Sequence, residues 1–166
     1  MDVGGRPSRR LAWLALLALW SCSIGSPNED ESRASAVYQE VVRWLVDDAG
    51  AGTDEEPMAV FIEPRGEGAA ISLDVQAELI DATKDIAEVR FLDERDEGLV
   101  EEEDGTIVVR DGGILIRLGP VIEEDSPVLL DVDIWESEDT FSELRFELRR
   151  SGTTWAVQGP PEQIEP

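Results

Sequence analysis

The 166-residue chain contains no histidine. That excludes Ser-His-Asp and Cys-His nucleophile arrangements and any histidine-ligated metal centre. Cysteine occurs once, at Cys22, so no internal disulfide can form. Lysine also occurs once, Lys84, beside 13 arginines. The phosphate-cradling pattern Gly-x-x-x-x-Gly-Lys cannot be assembled around it. Long apolar runs are missing too. The run LAWLALLALW, Leu11 to Trp20, would cover roughly 15 Å as a helix, half of a bilayer core of about 30 Å. Positive charge is scarce: 14 basic side chains face 38 acidic ones, a formal −24. Such a field repels phosphate backbones, so nucleic acid is not an expected partner, nor is an anionic surface held by the domain's own charge. Two origins fit the excess of arginine and acid, GC-rich coding and a saline habitat.

The N-terminal residues follow an ordered sequence of zones. Arg6, Arg9 and Arg10 precede the apolar run, SCSIGS follows it, and then comes the charged patch PNEDES. Positive, apolar, small, polar is the order of a secretory signal peptide. Two cleavage readings stand. Ser21 and Ser23, or Ser23 and Gly25, suit an ordinary signal peptidase and a soluble secreted product. Leu19-Trp20-Ser21-Cys22 resembles a bacterial lipobox, with Trp20 larger than the usual residue at its position. An unpaired thiol in an exported chain calls for an explanation, and a thioether-linked lipid on Cys22 supplies one. Lipidation at Cys22 and attachment to the outer face of the cell membrane are therefore expected. Ser8-Arg9-Arg10 matches a twin-arginine export signal only in part.

The expected organisation is a signal peptide at 1–21, a polar tether at 22–33, a single α+β domain at 34–160 and a tail at 161–166. Removing residues 1–21 takes away three arginines and Asp2, so 14 and 38 become 11 and 37, a formal −26. Ser35 is read as the cap of a helix reaching Asp48, with Val37, Val41, Trp44 and Leu45 on one face. MAVFIE, Met58 to Glu63, is continuously apolar and reads as a buried strand. A second helix is expected from Leu73 to Lys84, with Val75, Leu79, Thr83 and Ile86 on one face. A short strand around Val89 and Phe91 would complete a strand-helix-strand unit.

From Thr106 the period changes to two. Asp111-Gly112-Gly113 predicts a tight hairpin between the apolar runs on either side of it. PVLLDVDIW places Val128, Leu130, Val132 and Ile134 on one face and Asp131, Asp133 and Trp135 on the other. TFSELRFELRR places Leu144, Phe146 and Leu148 inward, with Glu143, Arg145, Glu147 and Arg149 outward. A turn at Ser151-Gly152 would set Leu148 opposite Trp155 and Phe146 opposite Val157. The expected fold is α+β, with one or two helices covering one face of a mainly antiparallel C-terminal meander.

The closing stretch FELRRSGTTWAVQG resembles the last hairpin of small exported bacterial domains of the nuclear-transport-factor-two-like and cystatin-like kinds. It does so through its apolar alternation, its Arg-x-Gly turn and its Trp-x-Val. The resemblance covers Phe141 to Gln158. It implies a helix lying across a curved antiparallel sheet and carries no catalytic residue over.

Carboxylates, arginines and hydroxyls are left to carry chemistry. DERDEGLVEEED, Asp93 to Asp104, can be aligned as a calcium loop, with Asp93, Glu97, Gly98 and Asp104 at positions 1, 5, 6 and 12. Arg95 then falls where an oxygen ligand belongs. Asp131 and Asp133, roughly 7 Å apart at i and i+2 on one strand face, could form a hydrolytic carboxylate pair beside Trp135. Alternation alone equally predicts a solvated charged face, with Arg145 and Arg149 as cross-strand partners. Trp44, Trp135 and Trp155 read as packing residues rather than a ligand platform. The expected role is a non-enzymatic, exported binding domain that needs no cofactor, reaches the membrane through Cys22 and engages a protein or envelope partner. The alternative is a carboxylate-dependent hydrolase of the envelope.

Overall fold

The computed structural model describes residues 29–49, 57–122, 127–135, 137 and 140–164. The segment expected to be a signal peptide, Cys22 and the first part of the expected tether lie outside these residues.

The fold is α+β. Helix α1 (Glu29–Asp48) is followed by strand β1 (Met58–Pro64), helix α2 (Leu73–Thr83) and strand β2 (Ala87–Phe91). A 3-10 turn (Arg95–Gly98) leads into the short strands β3 (Leu99–Glu101) and β4 (Ile107–Val109), and a second 3-10 turn (Arg110–Gly112) leads out. Strands β5 (Ile114–Leu118), β6 (Val128–Trp135), β7 (Phe141–Ser151), β8 (Thr154–Val157) and β9 (Glu162–Gln163) complete the chain. The main sheet runs β2-β1-β5-β6-β7-β8, with β9 also on β7, while β3 and β4 form a separate ribbon. Strands β2, β1 and β5 are mutually parallel, and every pairing from β5 onward is antiparallel.

The helices cover one face. Val37, Val41, Val42, Leu45 and Val46 of α1 and Val75 and Leu79 of α2 are buried against Val60, Ile116, Leu130, Val132, Phe146 and Leu148 of the sheet. Trp44 packs edge-on to Phe146 at 5.3 Å. The Tyr38 hydroxyl donates to the Gly119 carbonyl at 3.0 Å, and burial pushes its pKa up to about 12. Ser72 caps α2, its hydroxyl accepting from the Val75 amide at 3.4 Å. Beneath the parallel half, on the opposite face, lies a second apolar cluster: Ala59, Phe61, Leu92, Val109 and Leu115, with Leu99 and Trp135 packed against it. The ribbon supplies Leu99 and Val109. Burial on both faces is why β1 reads as an unbroken apolar run.

Five expectations about the chain's layout are corrected. Helix α1 starts at Glu29, so Glu29–Arg33 of the expected tether is helical and Ser35 is not its cap. Ser35 is buried within the helix and its hydroxyl accepts from Gln39 at 3.2 Å. Acidic side chains in the first turn, Glu29, Asp30 and Glu31, suit the positive end of the helix dipole. The expected tail is partly sheet, since β9 pairs Glu162 with Arg145 and Gln163 with Leu144. Asp111-Gly112-Gly113 does turn the chain, with Asp111 at φ 58° and Gly112 at φ 62°, but the strands flanking it do not pair with each other. Strand β4 returns to β3, and β5 joins β1. Gly113 serves that second pairing: a Cβ on it would lie 2.2 Å from the Ala59 carbonyl oxygen. The last hairpin turns one residue later than expected. Ser151 pairs with Thr154, so Leu148 faces Val157 and Arg150 faces Trp155. The shift moves each partner by two positions, which preserves the apolar face.

Candidate functional site

The outer face of the antiparallel half is where chemistry-bearing side chains converge. Strand β6 presents Asp131 and Asp133 on it, and β7, aligned with β6, sets Arg145 opposite Asp131 and Glu143 opposite Asp133. On the other side of β6, Arg117 of β5 lies opposite Asp133. Glu63 of β1 pairs in register with Arg117. Arg65, just past β1, is held by its amide donating to the Leu118 carbonyl at 2.8 Å. Strand alternation thus delivers a lattice of opposite charges across four strands.

Arg65 is the hub. Its Nη1 lies 3.2 Å from Asp131 Oδ2, its Nε 3.1 Å from Asp133 Oδ1, and its Nη2 donates to Glu143 Oε1. Arg145 grips Asp131 with two bonds, Nε to Oδ1 at 2.7 Å and Nη2 to Oδ2 at 3.1 Å. Such a bidentate pair is stronger and more directional than a single contact. Arg117 Nη1 stands 3.4 Å from Asp133 Oδ2, and Glu63 bridges Arg95 at 3.4 Å and Arg117 at 3.6 Å. Arg95 also lies over the Trp135 ring at 5.0 Å, and Trp135 packs on Phe141 at 4.7 Å.

The two aspartates titrate in opposite directions. The Arg145 hydrogen bonds hold Asp131 below the ordinary carboxylate value despite some burial. Asp133 is only 4 % exposed. Its desolvation pushes the carboxyl up, further than Arg65 and Arg117 pull it down, and Glu143 adds to the rise. The short Arg65–Asp133 approach is Coulombic without hydrogen-bond geometry: Asp133 Oδ1, like Arg117 Nε and Trp135 Nε1, is buried with no hydrogen-bond partner. Unmade bonds of this kind are costly.

Asp133 therefore departs from the solvated-face reading, being buried and ion-paired, while Asp131 has the cross-strand arginine that reading assigned to it. Arg149 does not reach across: it pairs with Glu147 on its own strand at 2.8 Å. Asp93 to Asp104 is not one loop. It is divided among a 3-10 turn, strand β3 and the turn into β4, where Asp104 accepts from the Thr106 amide at 2.9 Å. Among the described residues, no group of three acidic side chains is placed to hold a metal ion. Lys84 pairs with Asp81 at 2.8 Å on the far end of α2. Trp155 is buried in the helix-side core with Arg33 over its ring at 5.4 Å. Cys22 lies outside the described residues.

Arg65, Arg95, Arg117, Glu63 and Glu143 are the participants that sequence reasoning did not select. Outward alternation marked Glu143; Glu63 and Arg117 sit within β1 and β5, Arg65 just past β1 and Arg95 in a 3-10 turn, and none of these four carries a local signature. The surface grooves beside α1, α2 and the β3–β4 ribbon are lined by other residues, including Tyr38, Ile71, Val75 and Val121 in one and Val100, Val108 and Ile114 in another. Comparison with protein-family models, with curated proteins and with solved structures found no match.

Proposed function

We propose that this chain is an exported, lipid-anchored acidic domain that binds a partner rather than transforming a substrate. The observation that carries the non-catalytic part is the fate of the carboxylates. Asp131 and Asp133, the pair best spaced for hydrolysis, are each held by two arginines. A general acid must present its proton to a substrate atom within hydrogen-bond reach. Asp133 is instead covered, and Asp131 has both oxygens occupied by Arg145.

The anchoring part rests on the zone order of the first 28 residues and on the unpaired Cys22. With α1 starting at Glu29, six residues separate Cys22 from the helix. Six residues reach at most roughly 20 Å. A lipid on Cys22 would keep the start of α1 close to the bilayer surface, with no long tether between. The experiment is detergent phase partition of wild type and Cys22→Ala, with mass determination of the mature N-terminus. Loss of the detergent-phase fraction in Cys22→Ala supports the anchor. Equal partition, or a mature protein starting after Cys22, refutes it.

A hydrolase remains the second reading because one observation favours it: Asp131 and Asp133 are driven to opposite sides of the ordinary carboxylate value, as an acid and a base would be. Release of reducing ends from envelope glycan by wild type, abolished in both Asp131→Asn and Asp133→Asn, would replace the binding reading.

A further inference from the structure

The outer face of the antiparallel half differs in charge from the rest of the molecule. Among the described residues, five arginines (Arg65, Arg95, Arg117, Arg145, Arg149) meet six carboxylates (Glu63, Asp131, Asp133, Glu143, Glu147, Glu162) on and beside it, a formal −1 in a chain of formal −24. Leu129, 46 % exposed, and Phe141, 43 % exposed, stand on the same face. Along β7 the outward residues alternate in sign: Glu143, Arg145, Glu147, Arg149.

That alternation is self-complementary. A two-fold axis through position 146 would lay β7 of one copy antiparallel across β7 of another. Glu143 then meets Arg149 and Arg145 meets Glu147, and by symmetry all four crossings join opposite charges. Closed homodimers use this isologous geometry, in which a patch must fit itself. Two copies of so acidic a chain repel one another wherever acid faces acid, and a nearly neutral face removes that repulsion. We propose that the outer face of β6 and β7 is a self-association surface whose partner is a second copy of this chain, stacked sheet on sheet about a two-fold near Phe146.

This inference goes beyond the binding reading above and does not depend on the lipid. Two strands at about 4.8 Å spacing and about seven residues at about 3.3 Å give a face of roughly 220 Å² per copy. A standard interface buries about 800 Å² per partner, so the dimer is weak and reversible. Moderate salt favours it, since screening weakens the long-range repulsion more than the contact pairs.

The test is sedimentation velocity of the full chain in density-matched non-ionic detergent, over a range of protein concentrations at about 0.15 M salt. Wild type should shift from monomer to dimer with concentration. The double variant Glu147→Arg, Arg149→Glu keeps the net charge and the pair within the strand, yet puts like charges at all four crossings. It should melt as wild type does and dimerise at least about tenfold more weakly. Arg149→Glu alone, at the exposed end of β7, is the second variant should the double one melt early, and it too should weaken association. A wild type that stays monomeric at every concentration overturns the proposal. So does a double variant, or Arg149→Glu, that associates as tightly as wild type.

Discussion

The two halves of the main sheet share one helix-covered face and differ on the other. Beneath β2-β1-β5 the outer face is sealed by apolar contacts from the β3–β4 ribbon, with Phe61 and Leu115 almost fully buried. Beneath β6 and β7 it is layered with arginines and carboxylates around Arg65. Trp135 marks the seam, packing on the apolar cluster while Arg95 lies over its ring. An apolar lid needs only burial, which is non-directional. An ionic layer needs matched partners, because a charge left unpaired out of water costs several kcal/mol. The parallel half should therefore tolerate changes of shape that preserve volume, and the antiparallel half should respond to single charges.

Substitutions can break or sharpen this contrast. The largest effect belongs to the shared helix-side core: Phe146→Ala, at a fully buried position, should cost about 3–5 kcal/mol in a urea melt. A harmless change there would mean that β7 faces the other way. Leu115→Ala tests the apolar lid and should cost about 2–4 kcal/mol, Leu115→Met far less. Equal losses for Ala and Met would show that shape, not burial, rules that side. Arg65→Ala removes the hub and leaves Asp133 with Arg117 alone, so about 2–3 kcal/mol should be lost, while Arg65→Lys recovers only part of it. Full recovery by lysine would reduce Arg65 to a point charge.

Smaller effects separate the two aspartates by pH. Asp133 has a raised folded value, so the folded state holds its proton where the unfolded chain has released it. Its contribution is greatest below the unfolded value and is lost as pH rises through the folded one. Asp131 is depressed, so its contribution is present above the unfolded value and lost as pH falls through the folded one. In urea melts between about pH 3 and pH 7, Asp133→Asn should remove a loss of stability on raising pH, and Asp131→Asn should remove a loss on lowering it. Each should shift stability at neutral pH by no more than about 1–2 kcal/mol. Identical pH profiles for the two variants would contradict the asymmetry. Added salt should raise the melting temperature of wild type slightly, because 38 carboxylates repel over distances that salt screens. A flat response would show that the Arg–carboxylate pairs balance that repulsion.

The helix-side core was legible because each signal was local. Period two fixed the inward set Val128, Leu130, Val132, Phe146 and Leu148, and helical period fixed Val37, Val41 and Leu45. The strand-helix-strand unit was legible from MAVFIE and its crossover, and β1 and β2 do pair in parallel. Nothing local could show that β5 joins β1 across the 49 residues between them, or that Gly113 is required by Ala59 rather than by a hairpin. The ionic layer was hidden for the same reason. An outward aspartate on β6 looks solvated until Arg65 arrives from the end of β1, a partner whose position only the folded sheet decides. The exit of Glu29–Arg33 from tether into helix was masked by composition, since acidic residues serve a first helical turn as readily as a solvated linker.

The central claim is that the outer face of the antiparallel half is a closed ionic layer, and the titration of its two aspartates tests it most directly. Side-chain carboxyl carbons of Asp131 and Asp133, followed by NMR in the full chain and assigned through Asp131→Asn and Asp133→Asn, report each group alone. The account predicts that Asp131 titrates below the ordinary value of 3.8 and Asp133 above it. It also predicts that Arg65→Ala raises both, since each loses a positive neighbour. Two aspartates titrating together at the ordinary value, unmoved by Arg65→Ala, would mean that the face is simply solvated and the layer does not exist.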